Sequence, residues 1–504
     1  MFQFQRILFA LFAALSFSAA ATAQEEDARG GFVGALSDGI FALGDFVFKT
    51  IPINGYEVEW IVAFLALPMI LLTFYFGFIN VTSFKRAWRI IRGHYHDEDA
   101  PGEVTQFQAL TTALSGTVGL GNIAGVAVAI SVGGPGATFW MILIGFCAMS
   151  LKFAECTLGV KYRDIHDEGV ISGGPMYYLE RGLKAKGWGK FGKALAWTYA
   201  ILALPTLLQV AQVNQSFEAI SVVTGLDSNG AKWGFGVIVS ALTAVVIIGG
   251  IKSIGSVTEK LVPSMAGIYI TGALVIILGN ASAIPGAFVT IFSSALSLDA
   301  GIGGMIGVII ISMQRAVYST EAGLGSATMA HAAAKTREPV SEGMVALMEP
   351  FIDTVVVSTM TALVIVITGV YTGNEGMAGI SLTSTAFGSV ISWFPWVLAV
   401  AAFLFAYSTI ISWGYYSSRV WEFVFGGSNT SMTTFKIVFC LAIIPGAVFS
   451  VDEVYSLMDS MFFLMAVPNI IGIYLMAPEL KRDLKSYLAR LKSGEIPETN
   501  GYSS

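Results

Sequence analysis

Two short stretches of this 504-residue chain combine glycines with side chains able to hold a polar solute or an ion. The first reads Gly116, Thr117, Val118, Gly119, Leu120, Gly121, Asn122, and the second reads Tyr318, Ser319, Thr320, Glu321, Ala322, Gly323, Leu324, Gly325. Each lies inside an apolar segment long enough to cross a bilayer, which takes roughly 20 residues. A glycine run there interrupts the helix and frees N–H and C=O groups that lipid cannot satisfy. Such groups persist where they face protein, water or a ligand. Freed N–H groups and positive half-helix ends attract a carboxylate, and freed carbonyls attract a small cation. A zwitterion accompanied by Na⁺ would match both sets, and glycine permits the backbone angles and the close approach. Arg315, Glu321 and Asp353 add ionisable groups within or near the membrane, where they are costly and usually paired. An ion pair of Arg315 with Glu321 or Asp353 is expected, serving either as a gate, with a role in coupling, or as a fixed support.

The elements that would position these residues follow from composition. Hydrophobic residues make up 55% of the chain and charged residues 12%, about half the charged fraction of a soluble protein. The reading is an all-α polytopic membrane protein of about eleven spans, at 58–80, 107–132, 136–160, 192–222, 232–250, 259–281, 301–333, 343–370, 391–417, 434–450 and 455–476. Residues 1–23 have the basic start, short apolar stretch and Ala21-Thr-Ala23 end of a signal peptide. The mature chain would then begin outside, with 24–57 as a periplasmic segment. Lys85, Arg86, Arg89, Arg92, Lys161, Arg163, Arg181 and most later basic residues then fall inside, including those of the tail, 477–504. This asymmetry obeys the positive-inside rule and places the C-terminus in the cytoplasm of a bacterium whose inner membrane holds the protein. After a preceding helix at 58–80, the remaining spans divide into two sets of five, 107–281 and 300–476. Five is odd, so the second set enters with opposite orientation. Matching breaks in the first helix of each inverted half point to a binding site at the repeat interface.

Gly119-Leu-Gly121-Asn-Ile-Ala124 also fits a dinucleotide-binding pattern, but that motif needs a preceding strand. No nucleophile elbow, Walker loop or zinc-protease motif has a suitable setting, so an enzyme, an ATP-driven pump and nucleic-acid binding are all disfavoured. His94, His96, His166 and His331 fall in or beside cytoplasmic loops, and Lys152 with Glu155 reads as a structural i,i+3 pair. Gln215 reads as helix–helix glue, Glu218 as near the outer surface, and Trp140, Trp393, Trp396 and Trp413 as interfacial anchors.

The stretch from Thr117 to Asn122, with Gly133-Gly-Pro-Gly-Ala137, Phe139-Trp-Met141, Gln212-Val-Asn214, Gly249-Gly-Ile-Lys252, Val262-Pro263, Tyr318 to Gly323, Phe351-Ile-Asp-Thr354 and Tyr407-Ser-Thr409, resembles the alanine/glycine:cation symporter family. The resemblance implies a LeuT-like fold: five-plus-five inverted repeats with one helix in front. It assigns Thr117, Gly121, Gln212, Tyr318, Ser319, Thr320 and Glu321 to the substrate. It assigns sodium to Ser408 and Thr409 with carbonyls near Ser115 and Val118, and offers the Asn122 amide oxygen to a further ion. Tyr318 and Thr320 depart from the usual Phe-Ser-Asn-Glu-Ala-Gly of the second break, as does Ile142 from the usual Phe-Trp-Met-Trp. The implied activity is symport of a small neutral amino acid with Na⁺ as coupling ion and no other cofactor. Proton coupling through Glu321 or Asp353 and a non-transporting amino-acid receptor are the alternatives; a channel suits opposed half-helices less well.

Overall fold

The computed structural model describes residues 32–53, 56–166, 169–296, 304–372, 379–448 and 452–498. The proposed signal peptide, 1–23, lies outside these residues. Among them, eight helices are long and apolar enough to span a membrane, and the bent pair Gln106–Thr117 with Gly121–Gly133 makes a ninth. Trp60–Tyr75, at 16 residues, and Gly304–Thr320, at 17, fall short by length but occupy the positions of the preceding helix and of the sixth repeat helix. Short antiparallel hairpins at Thr50–Ile53 with Tyr56–Glu59 and at Asp164–Ile165 with Ile171–Ser172 are the strands present among the described residues.

The first half comprises the bent pair, Ala137–Lys161, Gly189–Thr224, Asn229–Ile247 and Gly250–Gly279. The second comprises Gly304–Thr320 with Thr328–Ala332, then Pro339–Thr368, Phe394–Phe425, Asn429–Ala447 and Asp452–Leu464 with Ala466–Ser493. Between the halves Ile284–Leu296 packs over the turn at Gly136, whose N–H donates to the Ser294 hydroxyl oxygen at 3.1 Å. The Trp140 indole donates to Ala295 O at 3.1 Å, so this residue is a tie between elements more than an interfacial anchor.

Both breaks have local causes. Helix Gln106–Thr117 starts on a capping box, Thr105 with Gln108, and ends where Val118 turns to extended angles. The chain re-enters as a π-helical turn, Gly121–Gly125, at 53° to the first half. At the second break Glu321 has φ +50°, followed by Gly323 at +96° and Gly325 at +77°. A left-handed glutamate is uncommon outside constrained sites. The 301–333 span is therefore two pieces, and the segment between them is sealed: residues 319–334 are all buried.

Ala466–Ser493 runs well past the expected end at 476. Leu480, Leu484 and Tyr487 are buried on one face while Lys481, Arg482 and Lys485 lie between them, so the tail continues as an amphipathic helix.

Close helix contact depends on small residues. Gly343, on Pro339–Ala346, faces Ala137–Lys161; an added Cβ would strike the Thr157 hydroxyl and lie 2.8 Å from Phe153 O. Gly343→Ala should therefore destabilise the protein by about 1–3 kcal/mol, read as a lowered thermal midpoint in detergent. An unchanged midpoint would mean that the two helices separate freely here.

Candidate substrate and ion site

A cavity of about 560 Å³ lies against the first break. Its wall includes Leu120, Gly121 and Ala124 from that break and Tyr318 and Glu321 from the second. Thr206, Gln209, Gln212, Gln215 and Glu218 recur at every third residue along Gly189–Thr224, and all five face the cavity. Three-residue steps drift by about 60° each around an α-helix, and the 3₁₀ turn at Leu204–Leu207, where such steps stay aligned, helps keep the row toward the cavity. That spacing was available in the sequence, yet Gln215 was assigned to helix packing and Gln209 was missed. Among the described residues the Gln212 amide oxygen is buried without a hydrogen-bond partner, which suits an acceptor awaiting an N–H donor.

The second break contributes less than expected. Glu321 lines the cavity and accepts from the Ser326 hydroxyl at 2.7 Å. Tyr318 also lines it, with its hydroxyl bonded to Asp459 and its ring edge-on to Phe463 at 4.5 Å. The phenol is thus committed to helix Asp452–Leu464 and narrows the mouth. Thr117, Ser319 and Thr320 do not form part of the described wall. The Thr117 hydroxyl turns back to Ala113 O and Leu114 O, each at 3.4 Å, whereas Ser319 points into a buried cluster behind the break. Trp413 lies on the cavity wall, bonded to Glu321, not at a membrane interface. Trp393 and Trp396 are exposed at the start of Phe394–Phe425, as anchors would be.

Behind Gly121, oxygen atoms converge on Asn122. Its Nδ2 lies 2.7 Å from Asp353 Oδ1, 2.9 Å from Asp353 O, 3.0 Å from Ser319 Oγ and 3.2 Å from Ser358 Oγ. An amide nitrogen has two hydrogens, so four oxygens exceed what it can serve. The amide oxygen, expected to face an ion, accepts instead from the Gly119 N–H at 2.9 Å. Asp353 Oδ2 receives the hydroxyls of Ser319 and Thr354, each at 2.7 Å. Asp353 is wholly buried, and among the described residues it forms no ion pair. The Lys152 ammonium acts on it only at longer range. Its segment, Phe351–Ser358, is π-helical, a form frequent at functional sites. Thr354 and Ser358 were not foreseen as parts of this cluster.

A second oxygen set lies at the first break. Thr409 Oγ1 and Ser408 Oγ donate to Ser115 O at 3.0 and 3.3 Å, and to Phe405 O at 3.0 and 2.8 Å. Ser115 Oγ in turn contacts Ser412 Oγ and donates to Ser408 O at 3.2 Å. Val118 is buried beside them, with its N–H committed to Leu114 O. The donors are neutral oxygens, the set that suits a hard monovalent cation.

Three expected placements are corrected. Arg315 forms no ion pair with Glu321 or Asp353 among the described residues. It lines the cavity, with its guanidinium carbon 6.0 Å from the Tyr318 ring centroid and the charges of Glu59 and Asp459 acting on it. Its position in Gly304–Thr320, before the break, puts it toward the mouth. Lys152 pairs with Glu349 at 3.1 Å and not chiefly with Glu155, because both sit inside the bundle, where a cation needs a carboxylate. His331 is fully buried between Glu342 and Glu349 instead of lying in a loop.

Inverted halves with broken first helices, enclosing a polar cavity flanked by buried oxygen clusters, define a LeuT-like membrane transporter. The structure of MhsT in complex with L-phenylalanine shares this fold at a TM-score of 0.50 and 17% identity, covering 75% of this chain and 89% of that one. The sodium:alanine symporter family matches residues 46–501, and the chain belongs to that family. It is 40% identical over 422 residues to the sodium/alanine symporter AgcS of Methanococcus maripaludis, covering 83% of this chain and 92% of that protein. It is 32% identical over 431 residues to the amino-acid carrier protein AlsT of Bacillus subtilis, covering 84% and 88%. The protein is a symporter integral to the membrane, not an enzyme.

Proposed function

We propose that the chain couples inward movement of Na⁺ to uptake of a small neutral amino acid by alternating access, in a bacterial inner membrane with its C-terminus cytoplasmic. The observation that carries the ion assignment is Asp353, a buried carboxylate without an ion-pair partner among the described residues. An unpaired charge inside a membrane protein is costly, and a transported cation supplies the missing charge. Its ligands would be Asp353, Ser319, Thr354 and Ser358, with Asn122 turning its amide to admit the ion. Ser115, Val118, Ser408 and Thr409 would hold a second sodium.

The amino acid would sit in the cavity, its carboxylate on the backbone near Gly121, its ammonium between the Gln212 oxygen and Glu321. The cavity reaches outward past Glu218, Ser381 and Asp459, while the sealed segment 319–334 closes it on the opposite side. Rocking of the broken helices against the remainder would reverse that access. Moving one charge through roughly 100 mV contributes about 2.3 kcal/mol, and a tenfold sodium gradient adds about 1.4 kcal/mol. A single coupled ion thus supports a few hundredfold accumulation, roughly.

Radiolabelled alanine uptake into proteoliposomes should follow an inward sodium gradient and collapse when choline replaces Na⁺ at fixed pH. Uptake that survives the replacement and follows a pH gradient would transfer the coupling to protons. Gln212→Leu should raise the alanine concentration for half-maximal uptake about tenfold, the loss of one hydrogen bond to a charged group. A wild-type saturation curve would remove Gln212 from the substrate site.

A further inference from the structure

On the far side of the second break from the cavity, a chain of charged side chains crosses the bundle. Lys152 Nζ is 3.1 Å from Glu349 Oε2. His331 Nε2 is 2.7 Å from Glu349 Oε1, and its Nδ1 is 2.6 Å from Glu342 Oε1. Gln106 Nε2 closes the far end, 2.9 Å from Glu342 Oε2. All four charged residues are fully buried. They come from Ala137–Lys161, Thr328–Ala332, Pro339–Ala346 and Met348–Pro350.

The proton count follows from geometry. Both ring nitrogens of His331 meet carboxylate oxygens, and each contact needs a hydrogen. A neutral imidazole carries one N–H. The His331, Glu342 and Glu349 group therefore holds two protons, and with an imidazolium and an ammonium facing two carboxylates its charges cancel. Cys156, His331 and Glu349 also lie close enough to share a metal ion. However, both ring nitrogens and both Glu349 oxygens are already engaged, and an adjacent ammonium repels a cation.

Beyond this balance, the Lys152 ammonium also acts on Glu155 and Glu321. Glu155 is held by Asn469 at 2.7 Å, and the same amide donates to Gly323 O at 2.8 Å, which fixes the underside of the break. Glu321 itself faces Ser326, Trp413 and the charges of Lys152 and Glu349.

We propose that His331 is a positioning residue for the substrate site: it fixes Glu349, Glu349 fixes Lys152, and the Lys152 ammonium balances the Glu321 carboxylate at the cavity wall. The inference rests on Glu321 facing the amino acid, as proposed above. Removing the imidazolium leaves Glu342 and Glu349 uncompensated, so Glu349 draws more of the Lys152 charge and Glu321 loses its support.

A double-mutant cycle on purified protein, read by sodium-dependent binding of radiolabelled alanine, tests this coupling. His331→Gln should raise the dissociation constant about tenfold in the wild-type background and change it by less than about twofold in a Glu321→Gln background. Equal fold-changes in the two backgrounds would overturn the proposal and leave His331 a structural residue. Glu342→Gln needs no Glu321 variant and keeps the test open if His331→Gln fails to fold. With one carboxylate fewer to share the imidazolium and the ammonium, more of the Lys152 charge is left for Glu321, so the alanine dissociation constant should fall by about threefold, opposite in sign to His331→Gln. A binding curve coincident with wild type would also overturn the proposal. Wild-type protein showing no sodium-dependent alanine binding would instead overturn the function proposed above.

Discussion

Asp353→Asn should reduce sodium-driven alanine uptake by about a hundredfold or more, with protein still present in the membrane. The substitution keeps the size of the side chain but removes the charge that a cation would neutralise. Ser319, Thr354 and Asn122 now donate three hydrogen bonds of 2.7 Å to this carboxylate. An amide can accept at its oxygen, and the two hydroxyls can rotate, so packing survives better than ion binding does. Loss of a close buried charge pair costs about 3–5 kcal/mol, and each 1.4 kcal/mol corresponds to about tenfold in affinity. The measurement is uptake against sodium concentration, with the thermal midpoint as a check on folding. A variant with normal sodium activation would exclude Asp353 as an ion ligand. If Asp353 carries a proton instead, the variant should lose pH dependence while retaining its response to sodium. Ser319→Ala, which removes a neutral oxygen from the same cluster, should show a smaller effect of about tenfold.

That cluster shows where sequence reasoning stops. The two breaks were legible because glycines within apolar runs have a direct physical consequence, and their odd-numbered spacing implied inverted halves. The family resemblance then named Ser408 and Thr409, which converge on Ser115 O. Thr354 and Ser358 stayed hidden because α-helical periodicity places residues 353 and 358 on different faces. The π-helical turn brings them together, with Ser358 Oγ donating to Asp353 O at 3.4 Å. Tyr318 was recognised as a departure from its family, but its partner Asp459 is distant in sequence and belongs to another helix. His331 was misread for a different reason. Its place near the end of the 301–333 span suggested the edge of a loop, whereas Thr328–Ala332 is a buried turn held from outside by Arg163, which donates to the carbonyls of Ala332, Ala334, Pro101 and Thr336.

Thr409→Val should raise the sodium concentration for half-maximal uptake about tenfold while leaving the maximal rate within about twofold of wild type. Valine preserves the branched shape, so helix Phe394–Phe425 keeps its contact with the first break. What disappears is one oxygen, 3.0 Å from Ser115 O, in the proposed sodium set. Without an ion the Thr409 hydroxyl donates to that carbonyl; with one, carbonyl and hydroxyl both turn lone pairs toward it. Losing the hydroxyl removes a ligand from the bound state and one net hydrogen bond, about 1 kcal/mol, from the unbound state. The two losses affect different measurements. A purely structural loss would lower the thermal midpoint equally with and without sodium, whereas loss of a ligand reduces the extra stability that sodium confers by mass action. Ser412→Ala provides the comparison: its hydroxyl donates to Thr112 O at 2.8 Å one turn away and touches the Ser115 hydroxyl, but not the Ser115 carbonyl assigned to the ion. A rise in half-maximal sodium for Thr409→Val but not Ser412→Ala would place the ion at the break. Equal responses would move it elsewhere and leave the hydroxyl pair a packing feature of two crossing helices.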